Sequence, residues 1–310
     1  MVNLKVVAVV LIAVLAACLP DGASEPAMAG AIVATGEAVA ALPDGLAPAP
    51  EPRGRAYLFR GALGPIFSRG MDRLTKELQQ AGIDADINEF TICRLVAARA
   101  ITVYRENPAP IILIGHSMGG YCSIVFSQML EAEKIPVSLV VTIDPAHVTP
   151  DVPLNVDRFI NIFLSKDVLG GGDVKPQPGY RGHYASFDLS EHDEVSHITI
   201  DKMDDVHRQL VDKIVQLATT QSKDEGEPVP LRYVVPPNAA IELWDSGTSV
   251  IVRQDETLQN IAQLFHVPLW SLTQVNRRAE KTRLMQGDRI IVPRHLLPLT
   301  TVSVVTPLRR

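Results

Sequence analysis

The chain is poor in cysteine, in tryptophan and in net charge, and each shortage closes off a class of protein. Its three cysteines, Cys18, Cys93 and Cys122, are too few for a disulfide framework in 310 residues. A formal net charge of -6 offers no broad basic face to neutralise phosphates, which argues against a nucleic-acid binder. HExxH, paired CxxC and GxxxxGK patterns are all missing, so metal, thiol and phosphate-loop chemistry lack a motif, and no cofactor is implied. Nor does any apolar run reach the ~20 residues that cross a bilayer. What remains is ordinary globular composition, 46% hydrophobic and 21% charged. The length suits one sizeable core with a smaller module.

The run from Val6 to Ala17 follows Lys5 and meets no charge until Asp21. That length fits the apolar core of a signal peptide. It ends in Leu15-Ala16-Ala17-Cys18, which resembles the lipobox of bacterial lipoproteins. The resemblance implies a signal peptide over 1–18 and a lipid on the Cys18 thiol that holds the mature chain to a membrane. The alternative is ordinary secretory cleavage after Ala27-Met28-Ala29, with Cys18 discarded. Both readings export the protein to the cell envelope or beyond. Cys93 and Cys122 sit among apolar residues and are expected to be buried and free, a single bridge between them being the other option.

Residues 19–53 are rich in Ala, Pro and Gly without apolar periodicity and read as a tether. From Arg55 the texture changes. Short apolar strands at 56–59, 84–87, 111–114, 137–143, 159–164 and 183–189 alternate with helices at 91–106, 119–133 and 204–218. A further helix carries Ile66, Leu74 and Leu78 on one face and stops at Gly82. This alternation predicts an α/β fold with a mostly parallel sheet over 54–219. Residues 220–247 turn polar and proline-bearing and read as a linker, followed by a small module at 248–295 and a tail at 296–310.

One corner in the α/β region carries chemistry. Gly115-His116-Ser117-Met118-Gly119 fits G-x-S-x-G between a strand and a helix. Side chains two residues either side of so sharp a turn would collide, so glycine is required there. On this motif and its context, the region from about 55 to 219 resembles an α/β-hydrolase of the lipase, esterase or thioesterase kind. The resemblance implies Ser117 as nucleophile and the Met118 amide as one oxyanion donor. "FRGALG" stands where lipases show His-Gly, with Arg60 in place of histidine, and implies the Ala62 amide as the second donor. His197, in the loop before the last helix of the core, is the expected base, with His183 and His192 in reserve. His207 reads as a surface residue of that helix. The acid is either Asp144, closing an apolar strand, or Asp167, after the next strand; Asp144 is preferred because an aspartate closing such a strand is costly without a partner. Few residues separate Asp144 from the following strand, so no lid is expected; Tyr180, His183 and Tyr184 either line an open cleft or, the preferred reading, fill satisfied loop or packing roles.

"SVIVRQDETLQNIAQLFHVPLWSLTQVNRRAEKTRLMQGDRIIVP" resembles a LysM module over nearly its whole length. The resemblance implies a βααβ fold that binds N-acetylglucosamine-containing glycans, peptidoglycan above all. It carries the sugar contacts onto Asp255, Glu256 and Thr257, and onto Leu284 to Gln286 in the loop before the last strand. Thr257 or Asp255 capping the first helix is the structural alternative. The expectation is an exported serine hydrolase acting on carboxylic esters and retained by glycan and lipid. A thioesterase, a wall-glycan deacylase and a non-catalytic glycan binder with a hydrolase scaffold are the rivals.

Overall fold

The computed structural model describes residues 54–219 and 227–297. The signal segment with Cys18, the tether of 19–53, part of the expected linker and most of the tail lie outside the described residues. Seven strands form one sheet: β1 (Arg55–Arg60), β2 (Asp84–Glu89), β3 (Ile111–His116), β4 (Leu139–Ile143), β5 (Arg158–Phe163), β6 (His183–Asp188) and β7 (Leu231–Val234). Their spatial order is β2-β1-β3-β4-β5-β6-β7, and every neighbouring pair is parallel. The chain leaves β1 toward one side and returns to β3 on the other. The order therefore reverses between β1 and β3, the switch point outside whose carboxyl ends open α/β sheets bind ligands.

The central strands are apolar on both sides because helices cover both faces. On one face Leu58, Ile112, Ile114, Val141 and Ile162 pack against α2 (Arg69–Gln80) and α5 (Asp204–Thr219), through Met71, Leu74, Leu78, Leu210 and Ile214. On the other, Phe59, Leu113, Val140 and Phe159 meet α3 (Cys93–Glu106) and α4 (Met118–Ala132). Cys93 and Cys122 lie in this second layer, both buried and both free. The helix expected from Ile66 to Gly82 is split. A single turn, α1 (Gly64–Phe67), precedes α2, and Ile66 is exposed rather than part of the buried face. Ser68, between them, has left the helical conformation at φ -105° and ψ 37°.

The stretch read as a linker contains a strand. Four flanking prolines gave residues 228–237 the texture of a connection, but Leu231 and Tyr233 alternate inward and add β7 to the sheet edge. The second unit then follows as β8 (Trp244–Ile251), α6 (Leu258–Phe265), α7 (Leu269–Asn276) and β9 (Arg289–His295), with β8 and β9 antiparallel. β8 starts at Trp244, six residues before the strand expected at 250–252. Trp244 is fully buried, with ring centroids 4.7 Å from Tyr233, 5.5 Å from Trp270 and 6.0 Å from Phe187. Gln274 of α7 occupies the outer edge of β7 like a strand residue. Its Oε1 accepts from the Val234 amide at 3.1 Å and its Nε2 donates to the Val234 carbonyl at 2.8 Å. Edge strands left with unpaired backbone invite pairing with other chains, and this contact satisfies part of the edge. Trp244→Ala is expected to cost about 3–5 kcal/mol of unfolding free energy, as large-to-small changes of buried aromatics do. Urea denaturation followed by circular dichroism checks this; a loss below about 1 kcal/mol would contradict the packing role.

Candidate active site

β3 ends at His116 and α4 begins at Met118, so Ser117 alone makes the turn, at φ 57° and ψ -122°. A non-glycine residue there holds about 1–3 kcal/mol of strain, and the surroundings must hold it in place. They do so by close approach. A Cβ on Gly115 would lie 2.0 Å from the Gly119 carbonyl oxygen, and one on Gly119 would lie 2.1 Å from that of Phe59. Any side chain at either position would push the elbow off β1 and β3. The Ser117 amide donates to the Ile143 carbonyl at 3.0 Å, which anchors the turn to β4.

The loop after β1 runs directly against the serine: a Cβ on Gly61 would sit 3.2 Å from Ser117 Oγ. Ala62 follows in that loop. Met118 is the first residue of α4, so its amide has no carbonyl four residues earlier within the helix. Of the two residues expected to supply backbone donors, Met118 thus follows Ser117 at the start of α4, and Ala62 follows Gly61 in the loop against it.

His197 lies in the loop between β6 and α5, and its Nδ1 is 2.6 Å from Asp144 Oδ2. Asp144 is fully buried at the end of β4, at φ 41°. Its other oxygen accepts from the Leu164 amide at 3.0 Å and the Gly171 amide at 2.8 Å. A carboxylate held in this way fixes the orientation of the ring. With Nδ1 donating to Asp144, Nε2 keeps the lone pair, so it is the nitrogen able to take a proton. Of the two candidate acids, Asp144 makes the hydrogen bond. Asp167 is also near: one polar atom each of Asp144, Asp167 and His197 lie within 4.8 Å of one another.

His116 ties the serine's strand to the base's loop. Its Nε2 donates to the His197 carbonyl at 2.9 Å, and its ring packs on that of His197 with centroids 4.7 Å apart. Burial first, and then the neighbouring His197, lower its pKa to about 3. The ring is therefore neutral, and Nδ1 accepts from the Ser68 hydroxyl at 2.9 Å. Ser68 Oγ in turn accepts from the Gly61 amide at 3.1 Å. One hydrogen-bonded chain thus links the loop after β1, the elbow and the base.

Nothing in the sequence pointed to Ser68, or to Asp201. Asp201 is buried, and its Oδ2 accepts from the Gly70 amide at 2.8 Å, docking the His197 loop onto the start of α2. The surroundings of the other expected residues are as follows. His207 is buried rather than on the surface, because Nε2 donates to the Asp201 carbonyl at 2.7 Å and Nδ1 lies 2.8 Å from Glu77. His183 opens β6 at the amino edge of the sheet, away from Ser117, and contacts Ser246 and Asp245. Tyr180 and Tyr184 donate to the carbonyls of His183 and Val174, so neither they nor His183 line a cleft at the serine. His192 is buried beside Glu194. In the second unit Thr257 caps α6 in a reciprocal pair with Asn260. Glu256 accepts from the Arg253 amide at 2.7 Å, and Asp255 is exposed at φ 61°. Leu284 is buried in the small core of this unit.

The parallel sheet, the serine elbow at its switch point and the carboxylate-histidine pair on the next loops define an α/β-hydrolase fold. No family model and no curated protein matches the chain. Among solved structures it is similar to a putative hydrolase of the α/β superfamily from Xanthomonas campestris pv. campestris. That match has 18% identity and a TM-score of 0.28, over 40% of this chain and 76% of that one. It is also similar to the RedJ thioesterase of the prodiginine pathway of Streptomyces coelicolor, at 14% identity and TM-score 0.28, over 59% and 77%. A third similarity is to the metagenome-derived lipolytic enzymes LipS and LipT, at 13% identity and TM-score 0.27, over 59% and 83%. At these scores the fold assignment stands on the strand order and the elbow.

Burial opposes a charge on His197, but the hydrogen bond and charge of Asp144, with the charges of Asp167 and Asp201, outweigh it and raise its pKa above the ordinary 6.5. A base must be neutral to accept a proton, so kcat/KM is expected to fall as pH drops through a limb above 6.5. A pH–rate profile of ester hydrolysis checks this; a limb at or below that value would contradict it.

Proposed function

We propose that the chain is an exported serine hydrolase that cleaves carboxylic esters through an acyl-enzyme on Ser117. The observation that carries the reading is the Asp144–His197 hydrogen bond set beside a strained serine elbow at the sheet's switch point. In this reading His197 Nε2 takes the Ser117 proton as Oγ attacks the ester carbonyl. The oxyanion is held by the Met118 and Ala62 amides, a donor of this kind being worth about 3–4 kcal/mol. His197 returns the proton to the leaving alcohol and then activates water against the acyl-enzyme.

The surroundings favour an apolar acyl group. Leu63 and Ile66 after β1, Val148 after β4, Val168 and Leu169 after β5, and Ile198 beside the base are all exposed, Val168 to 88%. Ile66 lies in the short helix α1 and the others on loops that follow strands at the carboxyl edge of the sheet, the edge that carries Ser117. Aliphatic side chains on that edge suit an acyl chain better than the hydroxyls of an acetylated sugar. A fluorophosphonate probe is expected to label the folded protein and not Ser117→Ala, and turnover of p-nitrophenyl esters to rise from acetate to octanoate. Absent labelling, or equal labelling of the variant, would support the non-catalytic scaffold. Faster turnover of acyl thioesters or acetylated peptidoglycan would move the substrate to those rivals.

Residues 248–295 in this reading are a LysM module that holds the enzyme to peptidoglycan. The βααβ order and the loop before α6 support it. Asp255 and Glu256 offer acceptors to the sugar, and Thr257 contributes by shaping the loop through its cap. Cys18 carries the lipid that adds a membrane anchor. The protein is expected to sediment with purified peptidoglycan, with Asp255→Ala and Glu256→Ala together weakening it at least about threefold. Retention in the supernatant would sink the glycan reading, and a Cys18→Ala chain that stays with membranes would sink the anchor.

A further inference from the structure

Asp144 supplies the acid that His197 needs, which leaves Asp167 without a part in the chemistry. Its surroundings are nevertheless built. The loop 164–172 holds both carboxylates with four of its own amides. Those of Leu164 and Gly171 go to Asp144 Oδ1, and those of Leu169 and Gly170 go to Asp167 Oδ1 at 2.7 and 3.3 Å. Gly170 packs so tightly on Asp144 that a Cβ there would lie 2.2 Å from Oδ2, the atom bonded to His197. The Asp167 amide donates back to the Leu164 carbonyl at 2.9 Å, which closes the turn and fixes where its side chain starts. The two acids therefore sit on adjacent loops, with one atom of each within 4.8 Å of the other and of the same imidazole. Two carboxylates so near each other repel, and a loop that spends four donors on them offsets that repulsion.

We propose that Asp167 is a second acid for His197: a positioning residue that, with Asp144, stabilises the imidazolium formed when Ser117 gives up its proton. The proposal rests on the serine-hydrolase reading above. The proton balance is unchanged from that reading: it leaves Ser117 Oγ, resides on His197 Nε2, and goes to the leaving alcohol. Asp144 orients the ring by hydrogen bond, and Asp167 acts on the charge that appears there.

The groups around His197 let this be tested by titration. They are Asp144 on the loop after β4, Asp167 after β5, Asp201 further along its own loop, and the neutral His116 ring at the end of β3. Lys202 lies on the same loop with its Nζ on the Ile198 carbonyl, and His147 reaches the Asp167 carbonyl at 3.3 Å. Of the three carboxylates, Asp201 is committed to the Gly70 amide and remains in every variant.

The experiment is the pH dependence of kcat/KM for a p-nitrophenyl ester, with the second-order rate of fluorophosphonate labelling alongside. It compares wild type, Asp167→Asn, Asp167→Glu, Asp144→Asn and the double Asn variant. Asp167→Asn is expected to move the acid limb down by about half a pH unit or more and to lower the plateau about 3- to 10-fold at unchanged KM. Asp167→Glu should restore the limb. Asp144→Asn should lose less than the roughly 10^4-fold expected where a single acid orients the base, and the double variant should lose at least about tenfold more. An Asp167→Asn enzyme with the wild-type limb and plateau, or an Asp144→Asn enzyme as inactive as the double, would overturn the proposal. If Asp167→Asn unfolds, the limb of Asp167→Glu against wild type and the labelling rate of Asp144→Asn decide in its place. A wild type that takes no probe at all would instead overturn the serine-hydrolase reading.

Discussion

The backbone of Ser117 is held in a conformation that a residue with a side chain rarely adopts, and the rest of the site exists to keep it there. The turn lies where the strand order reverses, so β1 and β4 flank it as neighbours of β3 and of each other's loops. Gly115 and Gly119 let backbone from β1 and from the helix press against it within distances that no Cβ would allow. The Ile143 carbonyl accepts the serine amide, and one residue later the same strand delivers Asp144. Strain at Ser117 and placement of Asp144 are thus two consequences of one strand pairing, β3 with β4.

His197 reaches the site by a different route. His197 sits on a long connection between β6 and α5 that no strand holds in place. Contacts with other elements do that work, among them Asp144 on the ring, His116 on its carbonyl, and Asp201 on the start of α2. His116 matters as the member of this set that touches both sides. Its neutral ring lets one nitrogen donate to the loop of His197 while the other accepts from Ser68, whose oxygen also steadies the loop after β1. A charged His116 would need donors turned away at Ser68, and burial prevents that charge.

The second unit is joined to the sheet through a packed aromatic cluster and not through a free connection. Tyr233 of the edge strand, Trp244 and Trp270 form its centre, and Gln274 pairs with the edge backbone. In the proposed reading the glycan-binding loop therefore has a fixed relation to the hydrolase core. A flexible linker would instead have let the catalytic mouth explore the surroundings of the bound glycan.

Much of this was legible in the chain. The alternation of apolar strands and amphipathic helices determined the α/β class, because burial on both faces requires it. The pattern Gly115-x-Ser117-x-Gly119 between strand and helix determined the elbow, because its sterics are local. The β7 strand was hidden by its flanking prolines, and Ile66 and His207 were misjudged because helical spacing says which residues share a face but not what lies opposite. Between Asp144 and Asp167, the cost of an aspartate closing an apolar strand favoured Asp144, and the tertiary structure decided it. Both follow strands that open on the same edge, and only the path of the loop 164–172 decides which oxygen meets His197. The same holds for Ser68 and Asp201: their partners His116 and Gly70 stand 48 and 131 residues away, and no local pattern encodes a contact made by the packing of separate loops.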